Sequence, residues 1–83
     1  MKTFPIGETQ RAALFMYVFE SVHADDEDRQ VPGLIVNKTL VVSGDLNQAW
    51  RGITDAANAC DDAGDIEYRD ALSALATRVL KAA

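Results

Sequence analysis

A single cysteine, Cys60, and a single histidine, His23, occur among the 83 residues of this chain. One cysteine excludes an internal disulfide, and no paired-cysteine pattern for structural zinc exists. A domain of this length buries only about 60% of its unfolded surface. Stability without a disulfide therefore points to a reducing compartment, or to association that enlarges the core. The longest apolar run, Ala12 to Phe19, has eight residues, where a bilayer-spanning helix takes about 20. The first residues lack the basic start and apolar stretch of a secretory signal. The expectation is a cytoplasmic protein that neither spans nor binds a membrane. Asn37-Lys38-Thr39 matches a glycosylation sequon, and without a secretory signal it reads as a turn.

Clustered base is also missing. Thirteen acids stand against eight bases, for a formal charge of −5, and the bases are scattered singly from Lys2 to Lys81. Phosphate neutralisation needs Lys and Arg in clusters, so direct nucleic-acid binding is disfavoured. The sign of the charge suits solubility, or a partner protein with a basic surface. Apolar residues make up 48% of the chain and charged residues 25%, the profile of one globular domain covering residues 1–83.

The pattern predicts a small α+β domain of order α-β-β-α-α, a β-hairpin packed on a three-helix cluster. After an extended lead-in containing Pro5, a helix is expected from Glu8 to His23. At 100° per residue its apolar face centres on Phe15, Phe19 and Val22, with Val18 and Ala12 beside them. Leu14 and Met16 fall on the flanks and Tyr17 almost opposite the centre, so Tyr17 is expected to point outward. Ala24 to Gly33 is a connector carrying Asp25, Asp26, Glu27 and Asp28. Four adjacent carboxylates repel one another and the negative end of the preceding helix, which keeps them solvated.

Leu34 to Val42 is dense in β-branched and aliphatic residues, with Asn37-Lys38 suited to a two-residue hairpin turn. That register pairs Val36 with Thr39, Ile35 with Leu40 and Leu34 with Val41, and leaves both faces of the ribbon mostly apolar. Next, Asp45 and Gln48 form a capping-box pattern at the start of a second helix. Its stripe is Leu46, Trp50, Ile53, Ala57 and Cys60, and Gly64 suits a left-handed stop. A third helix is expected from the cap Asp65, with Tyr68, Leu72, Leu75, Ala76 and Val79 inward. The short join makes the last two helices an antiparallel hairpin.

Catalytic chemistry finds few candidates. Ser21, His23 and Asp25 alternate along the chain, and alternate residues on a helix do not face one another, so they form no triad. Cys60 lies on an apolar stripe with no base beside it, as a core residue does. His23 with the Asp25–Asp28 acids, and the Asp61-Asp62-Ala63-Gly64-Asp65 segment, lack the ligand spacing of a calcium loop. No phosphate loop or nucleophile elbow occurs. The expectation is a non-enzyme without metal or cofactor.

What remains is binding, with Tyr17, Asp25, Asp26, Glu27 and Asp28 as candidate contact residues. Trp50 reads as core, or as an interface anchor. In size, charge and lack of catalytic motif the chain is similar to small phage and mobile-element proteins that block host machinery, anti-CRISPR proteins among them. That similarity implies a cytoplasmic inhibitor or adaptor acting on a basic surface of a larger protein. The alternative is a homo-oligomeric structural or regulatory protein, for instance a homodimer, with the ribbon or first helix at a two-fold interface.

Overall fold

A computed structural model of the chain describes residues 2–19, 31 and 33–83. Its elements are β1 (Lys2–Pro5), α1 (Glu8–Leu14) continued by a π-helical turn (Phe15–Phe19), β2 (Gly33–Val36), β3 (Thr39–Val42), α2 (Leu46–Asp62) and α3 (Ile66–Ala82). The α+β class is as expected. One element is added: the lead-in is itself a strand, which makes the order β-α-β-β-α-α. The tail of the expected first helix, beyond Phe19, lies outside the described residues.

β1 pairs antiparallel with β3, in the register Lys2 with Val42, Thr3 with Val41, Phe4 with Leu40 and Pro5 with Thr39. The Ile6 amide extends the ladder, donating to the Lys38 carbonyl at 2.8 Å. Pro5 has no N–H to donate, and an edge strand tolerates that. The hairpin pairs Val36 with Thr39, Ile35 with Leu40 and Leu34 with Val41, in the expected register. Asn37 sits at φ 56°, the left-handed conformation that a tight hairpin turn needs and that asparagine tolerates. The strand order β1-β3-β2 puts β3 at the centre. At Gly33 the backbone of β3 leaves no room for a side chain: a Cβ there would stand 2.2 Å from the Val41 carbonyl oxygen.

Alternation along the strands sorts the side chains. Phe4, Leu40 and Ile35 line up across the inner face, and Phe4, Leu40 and Val42 are buried there. Thr3, Val41 and Leu34 form one row of the outer face, and Pro5, Thr39 and Val36 the next.

At the start of α1 the Gln10 side chain accepts from the Gly7 amide at 3.0 Å, and its Nε2 donates to the Ala71 carbonyl of α3 at 3.1 Å. Gln10 thus faces α3, and the residues at helical spacing from it are Ala13, Leu14, Tyr17 and Val18. Ala13, Leu14 and Val18 are buried, whereas Phe15 and Phe19 are only half-buried and Ala12 and Met16 are exposed. This corrects the expected face. The apolar arc of residues 12–19 is broad enough to hold two overlapping stripes, and the one that continues from Gln10 is the one that packs. Phe15 and Phe19 meet edge to face on the flank, with ring centroids 6.4 Å apart.

α2 opens as its sequence implies, with Asp45 Oδ1 accepting from the Asn47 amide at 2.9 Å. The reciprocal Gln48 bond of a capping box is not formed. Its buried residues are Ala49, Gly52, Ile53, Ala56, Ala57 and Cys60, while Leu46 and Trp50 lie half-buried on the flank. The stripe is therefore rotated from the expected one toward the small residues. Leu72, Leu75 and Val79 of α3, all fully buried, supply the volume those small residues lack.

Gly64, at φ 77°, ends α2 as expected. The Asp65 amide donates to the Cys60 carbonyl at 2.8 Å and the Gly64 amide to the Asp61 carbonyl at 3.1 Å, the two bonds of a Schellman stop. Asp65 occupies the N-cap position of α3, and its carbonyl accepts from the Arg69 amide at 2.9 Å, yet its side chain caps nothing. That corrects its expected role: the residue also closes α2, which turns its carboxylate away from the α3 amides. Arg78 of α3 donates to the Pro5 carbonyl and ties the last helix to β1. No helix of the described residues is long and apolar enough to cross a membrane.

Candidate binding surfaces

The acidic loop singled out in the sequence, Asp25, Asp26, Glu27 and Asp28, lies outside the described residues, as does His23. The other expected contact residue, Tyr17, is not directed outward. It follows Ala13 by one helical turn, so its ring is half-buried against the core. The ring meets Tyr68 edge to face at 6.3 Å and 88°. Its hydroxyl lies 3.3 Å from Asp65 Oδ2, a long contact for an O–H donor. Partial burial holds the phenol's pKa above its usual value, and the nearby Cys60 thiol and Asp65 carboxylate add to that. The phenol is therefore a neutral donor that joins the π turn to α3. Trp50 is half-buried against the core, intermediate between its two sequence readings, and Cys60 is fully buried.

Two surfaces of opposite character stand out. The first is the joint of α2 and α3. Asp61, Asp62, Glu67 and Asp70 are exposed there, with Ile66 exposed among them. The one base in the group is Arg69. Its Nη1 reaches Asp61 Oδ1 at 2.7 Å, and its Nη2 and Nε reach Asp70 Oδ1 at 3.0 and 3.1 Å. These bonds, that to Asp61 first, raise the guanidinium's already high pKa. The stop uses only the backbone of Asp61 and Asp65, which leaves the Asp61 carboxylate for Arg69 and the Asp65 carboxylate for Tyr17. Spacing alone carries no signal for this, because which bond an aspartate makes at a helix junction is decided by its backbone conformation.

The second surface is the sheet. Its strands and turn contain no acid; Lys2 and Lys38 are their only charged residues. Leu34 and Val36 stand 55% and 50% exposed on the outer face. At the turn end an open groove of about 390 Å³ is lined by Glu8, Arg11, Ala12, Asn37 and Lys38. Arg11 crosses it, with Nε donating to the Asn37 carbonyl at 3.1 Å and the guanidinium carbon 4.8 Å from the Phe15 ring centroid.

Among the described residues no three His, Cys, Asp or Glu side chains are grouped to hold a metal ion. In comparisons with protein-family models, with curated proteins and with solved structures, nothing matches the chain.

Proposed function

We propose that the protein is a protein–protein interaction module that docks, through acidic surface, on a basic surface of a larger partner. The observation that supports this most is the α2–α3 joint. Four exposed carboxylates gather there around one base, and that base is already neutralised by two of them. Outward carboxylates flanking an exposed Ile66 combine long-range attraction with a short-range apolar contact. Asp25, Asp26, Glu27 and Asp28 add like charge in the same chain. An inhibitor or adaptor of the phage or mobile-element kind, anti-CRISPR proteins included, is the form suggested by size and charge.

The experiment is to purify the partner by affinity from the source cell and measure association kinetics against salt. Two variants are compared: Asp61→Asn with Asp62→Asn and Glu67→Gln, and neutralisation of Asp25, Asp26, Glu27 and Asp28. Association slower by about tenfold at low salt, with a flatter salt dependence, is expected from at least one of them. Unchanged rates and salt dependence in both variants refute the electrostatic reading.

A further inference from the structure

The groove between α1 and the hairpin turn offers a site of a different kind, which goes beyond the acidic docking surface and does not depend on it. We propose that this groove binds a small zwitterion, whose carboxylate is held by Arg11 and Lys38 and whose ammonium is held by Glu8.

Two elements build the groove, and they are tied to each other. The Ile6 amide donates to the Lys38 carbonyl at 2.8 Å, and Arg11 Nε donates to the Asn37 carbonyl at 3.1 Å. One bond fixes backbone to backbone and the other fixes a side chain to the turn, so α1 and Lys38 meet at a set distance. The space between them is about 390 Å³, at the small end of the roughly 300–1,000 Å³ usual for ligand pockets. Glu8, Arg11, Ala12, Asn37 and Lys38 line it, and all five are exposed, so the groove opens to solvent.

Three of these residues are charged, and they do not neutralise one another. Glu8 and Arg11 stand three apart on α1, a spacing at which acid and base ordinarily pair. Among the described residues, however, no ion pair includes Glu8, Arg11 or Lys38. Arg11 is held instead by the Asn37 carbonyl and by the Phe15 ring, whose centroid is 4.8 Å from the guanidinium carbon. Only Nε is used among the described bonds, which leaves both Nη groups to donate to a carboxylate. A guanidinium already held in place loses less side-chain freedom when a ligand arrives.

Charge then selects the class of ligand. A phosphate or a dicarboxylate would gain from Arg11 and Lys38 but would bring a second negative charge beside Glu8. A simple carboxylate would leave Glu8 without a partner. A molecule with one carboxylate and one ammonium satisfies all three groups at once. The volume suits an amino acid. Ala12 is the one apolar residue of the lining, so the charged ends carry the recognition and a side chain adds little.

The test titrates the full-length ¹⁵N-labelled protein, at constant ionic strength, with glycine, β-alanine and γ-aminobutyrate, which carry the same two charges at increasing separation. Saturable shifts centred on Glu8, Arg11, Ala12, Asn37 and Lys38, at millimolar concentrations of at least one of the three, are the expected result. Acetate and methylammonium should each bind at least about threefold more weakly than the best zwitterion. Glu8→Gln should weaken the zwitterion about threefold without weakening acetate, a split that a merely structural role for Glu8 would not produce. Lys38→Gln should weaken both. The proposal is overturned by no saturable binding, by shifts centred elsewhere, or by acetate or inorganic phosphate binding as tightly as the best zwitterion. Tighter zwitterion binding on neutralising Asp25, Asp26, Glu27 and Asp28 would also overturn it, because the chain's own carboxylates would then compete for the groove. None of these outcomes depends on Asp61, Asp62 or Glu67, so this proposal and the acidic docking surface fail separately.

Discussion

Replacing Gly33 with alanine tests the position of β2 directly. The added Cβ would stand 2.2 Å from the Val41 carbonyl oxygen, and 3.1 Å from both the Val41 carbonyl carbon and the Val42 Cα. Ordinary contact begins near 3.4 Å, so the strands must part by about 1.2 Å. The obstacle is backbone, which cannot rotate aside as a side chain would. Parting the strands there strains the Leu34–Val41 pair, whose two ladder bonds contribute about 1 kcal/mol each. Overpacking elsewhere in proteins costs about 1–3 kcal/mol, which agrees with that sum. Against it stands the reduced freedom of the unfolded chain, worth about 0.4–1 kcal/mol for any glycine-to-alanine change. The net expectation is a loss of about 1–2 kcal/mol, or roughly 4–16 °C in Tm for a domain of this size. Urea unfolding followed by circular dichroism reads this as a lower midpoint at unchanged slope. A midpoint equal to or above that of the wild type would show that β2 does not approach β3 as described.

Other substitutions report on the remaining joints. Leu72→Ala empties a fully buried site on α3 and should cost about 2–5 kcal/mol in urea unfolding, depending on how far its surroundings collapse. Asp45→Ala removes the carboxylate that receives the Asn47 amide and should cost about 1 kcal/mol in the same assay. The Tyr17 phenol has a raised pKa in the folded state, so its contribution is complete below the unfolded value of about 10 and is lost as pH rises through the folded value. Wild-type stability should therefore fall above pH 10, and Tyr17→Phe should make that fall shallower. Spectroscopic titration of Asp65→Asn should return the phenol toward its usual value, and an unmoved titration would place Asp65 away from the hydroxyl.

The helical hairpin and the β-hairpin were legible because their signals are local. Asn37 at the turn, Asp45 at the α2 start and Gly64 at its end each satisfy a backbone requirement within a few residues. β1 was not legible, since its partner β3 lies more than thirty positions away and Pro5 weakens the strand pattern. The first helix misled for a different reason. Eight consecutive apolar residues contain more than one amphipathic stripe, and a tertiary contact, Gln10 to the Ala71 carbonyl, accompanies the one that packs. Tyr17 turned inward as a consequence. The α2 stripe is rotated too: hydrophobicity favours Leu46 and Trp50, but the residues buried are Ala49, Gly52 and Ala56 together with Ile53, Ala57 and Cys60.

Burial bears on function as well. Every buried side chain among the described residues is apolar or the Cys60 thiol, and none is charged. An unpaired buried charge is costly, so among the described residues charge is placed at the surface. Among the described residues charge is distributed unevenly. Up to Ser43 the described residues carry Lys2, Arg11 and Lys38 against Glu8, while the α2–α3 joint gathers carboxylates around Arg69. Over the whole sequence up to Ser43, six acids stand against four bases, so the division belongs to the described surface and not to the chain. The acidic joint is the part of that surface on which the proposed docking rests, through attraction for a basic partner.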